Sequence, residues 1–398
     1  MEPLPQRLRD SPLVSCVKFG GDNHLITLYA DNVILTVAEP MTSLPALLGI
    51  LDEFSQVLGF KVNMQKSQIL SLSVTPDHEE DLRARYPFLW SSSRLSSLGV
   101  ELATSAAKTA SVNYTKLVRE VQRDLESWGR HRLSWLGRVA AVKMTILPRI
   151  LYVFQALPLT PPPRTIATLQ SAVLRFIWEG RPARLPRQVL YCPKGGGGLA
   201  IPCLLCYFQA TQLRFLLEWS LPLTEKHWCY MDQAVAGTHI WKEPWLRRRH
   251  RARGLYSSPV TGATLRIWDT VACRLGLTSF LSPMTPIGEN PDFEPGLNLE
   301  GLKRWYDGGC RRVGSLFDEQ GVLSVDQMKE MYGLREADRL MYYQVRHWAL
   351  LRANRALIDR PLTPFEKWLL LKMGDKGSSP SYIDSCRGKS DCPSQRGS

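Results

Sequence analysis

The sequence predicts an α+β fold: a small unit of short strands and one helix first, then helices in nearly everything that follows. Two observations carry this. Short runs of β-branched and aromatic residues punctuated by Gly, Asp and Asn are concentrated in the first 105 or so residues. Apolar residues at helical spacing dominate from Tyr114 onward. At 398 residues and 44% hydrophobic content the chain can build packed cores in two or three domains.

Residues 14–19 (VSCVKF) and 24–29 (HLITLY) read as a hairpin closed by Gly20, Gly21, Asp22 and Asn23. A third run, Val33 to Val37, follows Ala30, Asp31 and Asn32, so the Asp31-Asn32 pair falls at or beside a tight turn. Leu44, Leu47, Leu48, Leu51, Phe54 and Leu58 then recur at helical spacing, with Ser43 as N-cap and Gly59 as the stop. Ser67–Val74 and Leu95–Leu102 read as further strands, which completes an α+β unit over residues 1–105.

Residues 106–180 read as a helical unit. Tyr114, Leu117, Val118, Val121, Leu125 and Trp128 form one apolar face, and Leu136, Val139, Val142, Ile146, Ile150 and Phe154 another, kinked at Pro148. After Pro161, Pro162 and Pro163 comes a helix with the face Ile166, Leu169, Val173, Phe176 and Ile177. A mainly helical basic region is expected over residues 181–281, with Gly195–Gly198 as a flexible break inside it. Residues 282–296 read as a linker and residues 297–373 as a further helical region. The Ser-, Gly- and Lys-rich stretch 374–398 lacks an apolar period and is expected to be disordered.

The charge of +13, from 50 Lys and Arg against 37 Asp and Glu, favours a polyanionic partner through phosphate contacts and counterion release. Nine scattered cysteines do not suggest a disulfide framework, and no N-terminal apolar segment resembles a signal peptide. The longest apolar stretch, Leu199 to Phe208, falls short of the roughly 20 residues that span a bilayer. These features predict an intracellular protein, nuclear or cytoplasmic and not secreted. Oligomeric state is not legible.

Polymerases join nucleotides with two metal ions held by carboxylates, and a hairpin turn presents such groups well. Here Tyr29-Ala30-Asp31-Asn32 sits on such a turn between apolar strands. It resembles the Tyr-x-Asp-Asp motif of reverse transcriptases. The helix after it, followed by Gly59-Phe60-Lys61-Val62-Asn63-Met64-Gln65-Lys66-Ser67, resembles the next palm motif of the non-LTR retrotransposon enzymes of the long-interspersed-element type. Leu98-Gly99-Val100 is similar to the hairpin that grips the primer. Trp135-Leu136-Gly137-Arg138, Lys143-Met144, Leu147-Pro148 and Phe176-Ile177-Trp178 resemble that family's thumb and the segment after it. Gly197-Gly198-Leu199, Pro202 and Tyr343-Gln344-Val345-Arg346-His347 are similar to its C-terminal region. The resemblance covers about residues 1–372. It implies a partial palm, a helical thumb and a helical C-terminal region of an RNA-directed DNA polymerase.

Two departures bear on activity. The resemblance places the first catalytic carboxylate upstream of the hairpin, beyond what this chain contains, so a truncated enzyme is expected. The second carboxylate of the pair is Asn32, which keeps an acceptor oxygen but loses the charge. With Asp31 alone, the Mg²⁺ of the parent family is expected not to be stably bound, and polymerase turnover is expected to be absent. Asp22 and Asp52 read as turn and helix-surface residues rather than replacements. By resemblance Lys66 would protonate departing pyrophosphate or contact incoming phosphate; otherwise it is a surface lysine.

Template–primer contacts are expected at Tyr29, Leu98, Gly99, Arg138 and Lys143, and at Arg247, Arg248, Arg249, Arg251 and Arg253, five guanidiniums within seven residues. Trp241, Trp245 and His250 interleave them as candidate stacking partners for bases. The plain alternative for that run is a solvated loop. Arg181, Arg184 and Arg187 are a sparser version of it. Cys203 and Cys206, with Cys192, His227 and Cys229 nearby, have a superficial zinc spacing, but IPCLLCYF is an apolar setting in which buried thiols are usual, and no zinc site is expected. The residual activity expected is sequence-independent binding of RNA or DNA; the alternative is an inert relic or a protein-interaction scaffold.

Overall fold

The computed structural model describes residues 3–29, 32–59, 62–220, 228–237, 239–275, 277, 282–288, 290–292, 299–318, 321–353 and 363–373. It is α+β, with short strand pairs and a majority of helix. The chain divides into two compact units, Met1–Gln212 and Leu213–Ser398.

The first unit opens with a helix α1 (Pro3–Asp10) and four strands, β1 (Val17–Phe19), β2 (Asp22–His24), β3 (Ile26–Tyr29) and β4 (Asn32–Leu35). The run HLITLY does not pair as a whole with VSCVKF. Its first residue closes a tight β1–β2 hairpin around Gly20 and Gly21, both at positive φ, and its remainder pairs with β4. Two consecutive glycines at φ 63° and 87° give the backbone twist a two-residue hairpin needs, which draws the turn closer than a four-residue loop would. A bridge between Cys16 and Val37 closes the meander.

Helix α2 (Pro40–Leu58) begins three residues before the expected cap. Ser43 lies inside it, fully buried, and its Oγ accepts the Ser15 N–H at 2.9 Å. Proline at the first helical position starts the helix without needing a side-chain cap. Gly59 ends it in the left-handed conformation, φ 72°, its N–H donating to the Ser55 carbonyl. Leu47 joins Leu4, Leu8, Val14 and Leu25 in one small core.

The strand expected over 67–74 is only β5 (Gln68–Leu70). It pairs in parallel with β6 (Leu89–Ser91) through an intervening helix α3 (Pro76–Arg85). Sequence periodicity misses α3 because Leu82 is the one residue it buries. Charge placement supports it instead: Asp77 and Glu79 stand in the first turn and Arg83 and Arg85 in the last. The span 95–102 is a hairpin rather than one strand, β7 (Arg94–Ser97) and β8 (Val100–Ala103).

Helix α4 (Ala106–Gly129) is capped by Ser105 and buries Tyr114, Leu117, Val121 and Leu125 as its apolar period predicts. Helix α5 (Trp135–Ala141) runs through a π-helical turn, Val142–Ile146, into α6 (Leu147–Ala156). The wide turn is the local answer to Pro148, which has no N–H and would crowd the carbonyl four residues earlier. Within it the Leu147 N–H reaches the Val142 carbonyl five residues back. The resulting 22-residue run Trp135–Ala156 is, by length and composition, long and apolar enough to cross a bilayer. Its face of Val139, Val142, Ile146, Ile150 and Phe154 is buried, with α4 packed on α6 and on α7 (Thr165–Ile177).

After the short helix α8 (Arg187–Tyr191), the Gly195–Gly198 run is a hydrogen-bonded turn and not a loose break. Gly198 N–H donates to the Pro193 carbonyl, and Ala200 and Ile201 pair back onto Cys192 and Leu190. A Cβ at Gly198 would sit 2.1 Å from the Cys192 carbonyl oxygen, so the chain crosses itself where only glycine fits. Helix α9 (Leu204–Ser220) follows, and Phe208 meets Phe154 edge-on at 5.2 Å between ring centroids.

In the second unit, helices α10 (Trp228–Ala236) and α11 (Pro259–Arg274) share a core with the end of α9 through Phe215, Trp219, Cys229, Leu265 and Trp268. A separate core joins α12 (Leu299–Asp307), a two-residue-strand hairpin of β9 (Phe317–Asp318) and β10 (Gly321–Val322), α13 (Val325–Tyr332) and α14 (Arg339–Ala353). The expected linker is packed where it is described. Ile287 is buried in that core, the Val313 N–H donates to Thr285, and Ser282 Oγ donates to the buried carboxylate of Glu366 on α15 (Pro364–Met373) at 2.7 Å. The tail expected to be disordered, 374–398, lies outside the described residues.

Candidate nucleic-acid interface

Strands β3 and β4 pair in antiparallel fashion, with Tyr29 opposite Asn32. Ala30 and Asp31 lie outside the described residues, as do Phe60 and Lys61 of the following motif. The Tyr29 ring is 67% exposed at the end of its strand. Lys66 closes a turn in which Asn63 Oδ1 accepts its backbone N–H at 3.1 Å, and the residue is exposed. Among the described residues no three His, Cys, Asp or Glu side chains converge as a metal cradle, and Asn32 brings no charge to one.

The β7–β8 hairpin turns at Leu98 and Gly99, with φ 49° and 79°. Two positive φ values suit a tight hairpin, but leucine adopts one only at a cost in strain. Tyr152 of α6 holds the strained turn, its hydroxyl donating to the Leu98 carbonyl. The other end of the hairpin is fixed to α4. Asn113 accepts the Glu101 N–H at 2.9 Å and donates to the Glu101 carbonyl at 2.7 Å, while Thr109 Oγ1 accepts the Ala103 N–H at 2.9 Å. The hairpin, α4 and α6 are thereby joined by hydrogen bonds at both ends of the turn. Leu98 remains 43% exposed at its tip. Sequence reasoning missed Tyr152 and Asn113, since a single tyrosine or asparagine on a helix carries no periodic signal.

Arg138 and Lys143 are engaged inside the fold. Arg138 is buried, lies 5.1 Å from the Phe176 ring centroid, and reaches the Phe176 carbonyl at 3.3 Å and Glu179 at 3.1 Å. It ties α5 to the end of α7. Lys143 donates its Nζ to the Leu199 carbonyl at 2.7 Å, across the glycine turn. Burial, and then the neighbouring charge of Lys194, hold its ammonium below the usual lysine value. Both residues sit on the apolar helix pair, and the groups they satisfy are carbonyls that the fold would otherwise leave unmet.

The arginine run of the second unit divides in the same way. Arg251 is buried, pairs with Asp269 at 2.8 Å, and donates to the carbonyls of Leu246 and Pro244 and to the Tyr256 hydroxyl. Arg247, Arg248, Arg249 and Arg253 are exposed. Asp292 lies 3.2 Å from Arg247 and 3.7 Å from Arg249, and Arg248 stands over the Tyr256 ring. The interleaved aromatics are occupied. Trp241 stacks on Tyr306 and carries Arg312 on its ring, and Trp245 meets Trp268 at 4.9 Å. His250 sits 3.8 Å from Asp292. Aromatic residues in this composition were needed for the core, which their spacing between arginines concealed. Cys203, half-buried, and Cys206, exposed, stand at the start of α9, so the apolar run does not bury the two thiols as expected, whereas Cys229 is buried with its Sγ facing the Glu218 carbonyl.

No family profile matches the chain. It is similar to a Xenopus laevis protein described as the transposon TX1 uncharacterized 149 kDa protein, at 24% identity over 330 residues. The matched region is 77% of this chain and 24% of the relative, so the chain spans about a quarter of that protein's length. A transposon origin is what this likeness supports.

Proposed function

We propose that the chain is a piece of a non-LTR retrotransposon reverse transcriptase that binds template and primer without extending them. The observation that carries the reading is the Leu98–Gly99 hairpin: a strained turn, exposed at its tip, held by Tyr152 and running directly into the long helix α4. Strain maintained at an exposed tip is what a gripping element needs and what a passive connection avoids. The order of elements supports the same reading, since a strand pair carrying Tyr29 and Asn32, a helix, a second hairpin and a helical bundle follow one another as the resemblance implies. Asn32 in place of a carboxylate supports binding without turnover. Tyr29, Leu98 and Gly99 would touch the nucleic acid near the hairpins, and Arg247, Arg248, Arg249 and Arg253 would take phosphates without regard to sequence.

A scaffold without a nucleic-acid partner is the second reading. It is favoured by the inward use of Arg138, Lys143, Arg251, Trp241 and Trp245. A salt series separates the two. Binding of a labelled RNA–DNA template–primer by anisotropy should fall steeply with salt and weaken when Leu98 is replaced by Glu. Binding that is marginal at low salt and indifferent to Leu98→Glu would favour the scaffold.

A further inference from the structure

Between the β7–β8 hairpin and helix α4 lies an open cleft of about 520 Å³ that no motif marks. Its walls carry four cations, Arg94, Lys116, Arg119 and Arg123, and two acids, Glu101 and Glu120. The acids are already engaged. Lys116 stands 3.6 Å from Glu101, and Arg149, which does not line the cleft, reaches Glu120 at 3.0 Å. Arg94 and Arg119 make no ion pair among the described residues, and the nearest acid to the exposed Arg123 is its neighbour Asp124 at 3.8 Å. Arg94 and Arg119 therefore face the opening without an ion pair among the described residues, and Arg123 shares Asp124 with Arg149, which holds it closer at 3.2 Å.

Their spacing has a length scale. Lys116, Arg119 and Arg123 fall on one helix face at steps of three and four residues, a row about 10 Å long at 1.5 Å per residue. A stacked nucleic-acid strand presents a phosphate about every 3.4 Å, so this row matches about three phosphates. Guanidiniums bind phosphate oxygens in pairs, which favours a phosphodiester over a diffuse acidic surface. The wall opposite is held rigidly, because Asn113 and Thr109 bond α4 to β8 at the head of the cleft.

We propose that this cleft binds the sugar–phosphate backbone of a single nucleic-acid strand, with Arg94, Arg119 and Arg123 as its phosphate contacts and Lys116 held back by Glu101. The proposal rests on the reading of the chain as a nucleic-acid binder and adds a second place of contact, apart from the arginine run at 247–253. Glu101 limits the site, since it holds one of the four cations.

The test is a salt series on the full chain with a labelled 12-nucleotide RNA. The variant Arg94→Gln/Arg119→Gln/Arg123→Gln should flatten the plot of log affinity against log salt by about 2, near 0.7 for each phosphate no longer neutralised, while Arg247→Gln/Arg248→Gln/Arg249→Gln serves as the matched loss of charge. Glu101→Gln should tighten binding severalfold, whereas Glu126→Gln, an equal change of charge on an exposed residue of α4 outside the cleft, should not. A gain in affinity cannot come from a misfolded variant. An unchanged slope in the cleft variant, with a flattened slope in the 247–249 variant, would overturn the cleft and leave the binding reading intact. A labelled oligoglutamate peptide whose binding is weakened by the cleft variant, with RNA binding unchanged by it, would also overturn it, in favour of an acidic protein partner. Absence of salt-dependent binding by the unaltered chain would remove both readings together.

Discussion

The hydroxyl of Tyr152 donates to the carbonyl of Leu98, 54 residues earlier, and so fastens the tip of a hairpin to a helix of the bundle that follows it. Leu98 holds a positive φ at this turn, a conformation leucine disfavours. Tyr152→Phe removes the bond and leaves the ring. The expected loss is about 1 kcal/mol of stability by thermal or denaturant melt, together with weaker binding of template–primer. An unchanged affinity with the expected loss of stability would mean that the clamp serves the fold alone.

The glycine run makes a prediction of opposite signs at neighbouring positions. Gly198→Ala puts a Cβ 2.1 Å from the Cys192 carbonyl oxygen and should cost about 3 kcal/mol or more, because backbone must move. Gly195 is not among the glycines at positive φ, and a methyl there would meet nothing within 4 Å, so Gly195→Ala should be neutral or stabilise by about 0.5 kcal/mol through the unfolded chain. Equal effects at both sites, read from paired melts, would contradict the observed crossing of the chain.

Arg251 and Arg253 are indistinguishable in the sequence and differ in the fold. Arg251→Ala should cost about 3 kcal/mol, since it leaves Asp269 without its partner and two carbonyls without a donor. Arg253→Ala should change stability by about 0.5 kcal/mol or less and act on the salt dependence of binding instead. Melts and binding curves for the two variants should therefore respond in a complementary way.

Asp232 is buried between Trp219, whose indole N–H donates to it at 3.0 Å, and Thr261, whose hydroxyl donates at 2.6 Å. Burial raises its carboxyl above the usual value of 3.8, and the two hydrogen bonds offset this in part. A raised folded value means that the folded chain holds the proton more tightly. The stability contributed by this linkage is complete below the unfolded value and is lost as pH climbs through the folded one. Asp232→Asn should abolish that component, so the difference in melting temperature between wild type and variant should change with pH above 3.8 and level off once the carboxylate is fully ionised. A difference independent of pH would show that Asp232 titrates alike in both states.

Much of the helical architecture was legible because a buried face repeats. Tyr114, Leu117, Val121 and Leu125 of α4, and Val139, Val142, Ile146, Ile150 and Phe154 of the next run, are buried as their period requires, while Leu136, read on the same face, is exposed in the first turn of α5. Elements without an apolar face were not legible: α3 buries only Leu82 and depends on charge placement. Tight turns departed from expectation where glycine shortened them, at Gly20-Gly21, or where a leucine accepted positive φ, at Leu98. Within the candidate site the strand runs on either side of the Asp31-Asn32 pair could be found from composition, whereas β7 and β8 read as one strand and only the resemblance at Leu98-Gly99-Val100 marked a hairpin there. Burial could not, because an arginine satisfying carbonyls, such as Arg251, has the same letter as one facing solvent. The cleft beside α4 is assembled from residues separated by as many as 29 positions in sequence, Arg94 to Arg123, and no local window contains it.

The most direct test of binding without turnover is primer extension by the full chain on an RNA template annealed to a labelled DNA primer, with Mg²⁺ and Mn²⁺ in parallel and binding followed in the same samples. The account predicts a salt-sensitive complex and no extended primer with either metal. Extension that Asp31→Ala abolishes would contradict it, since a working metal site would then assemble around a single aspartate and Asn32.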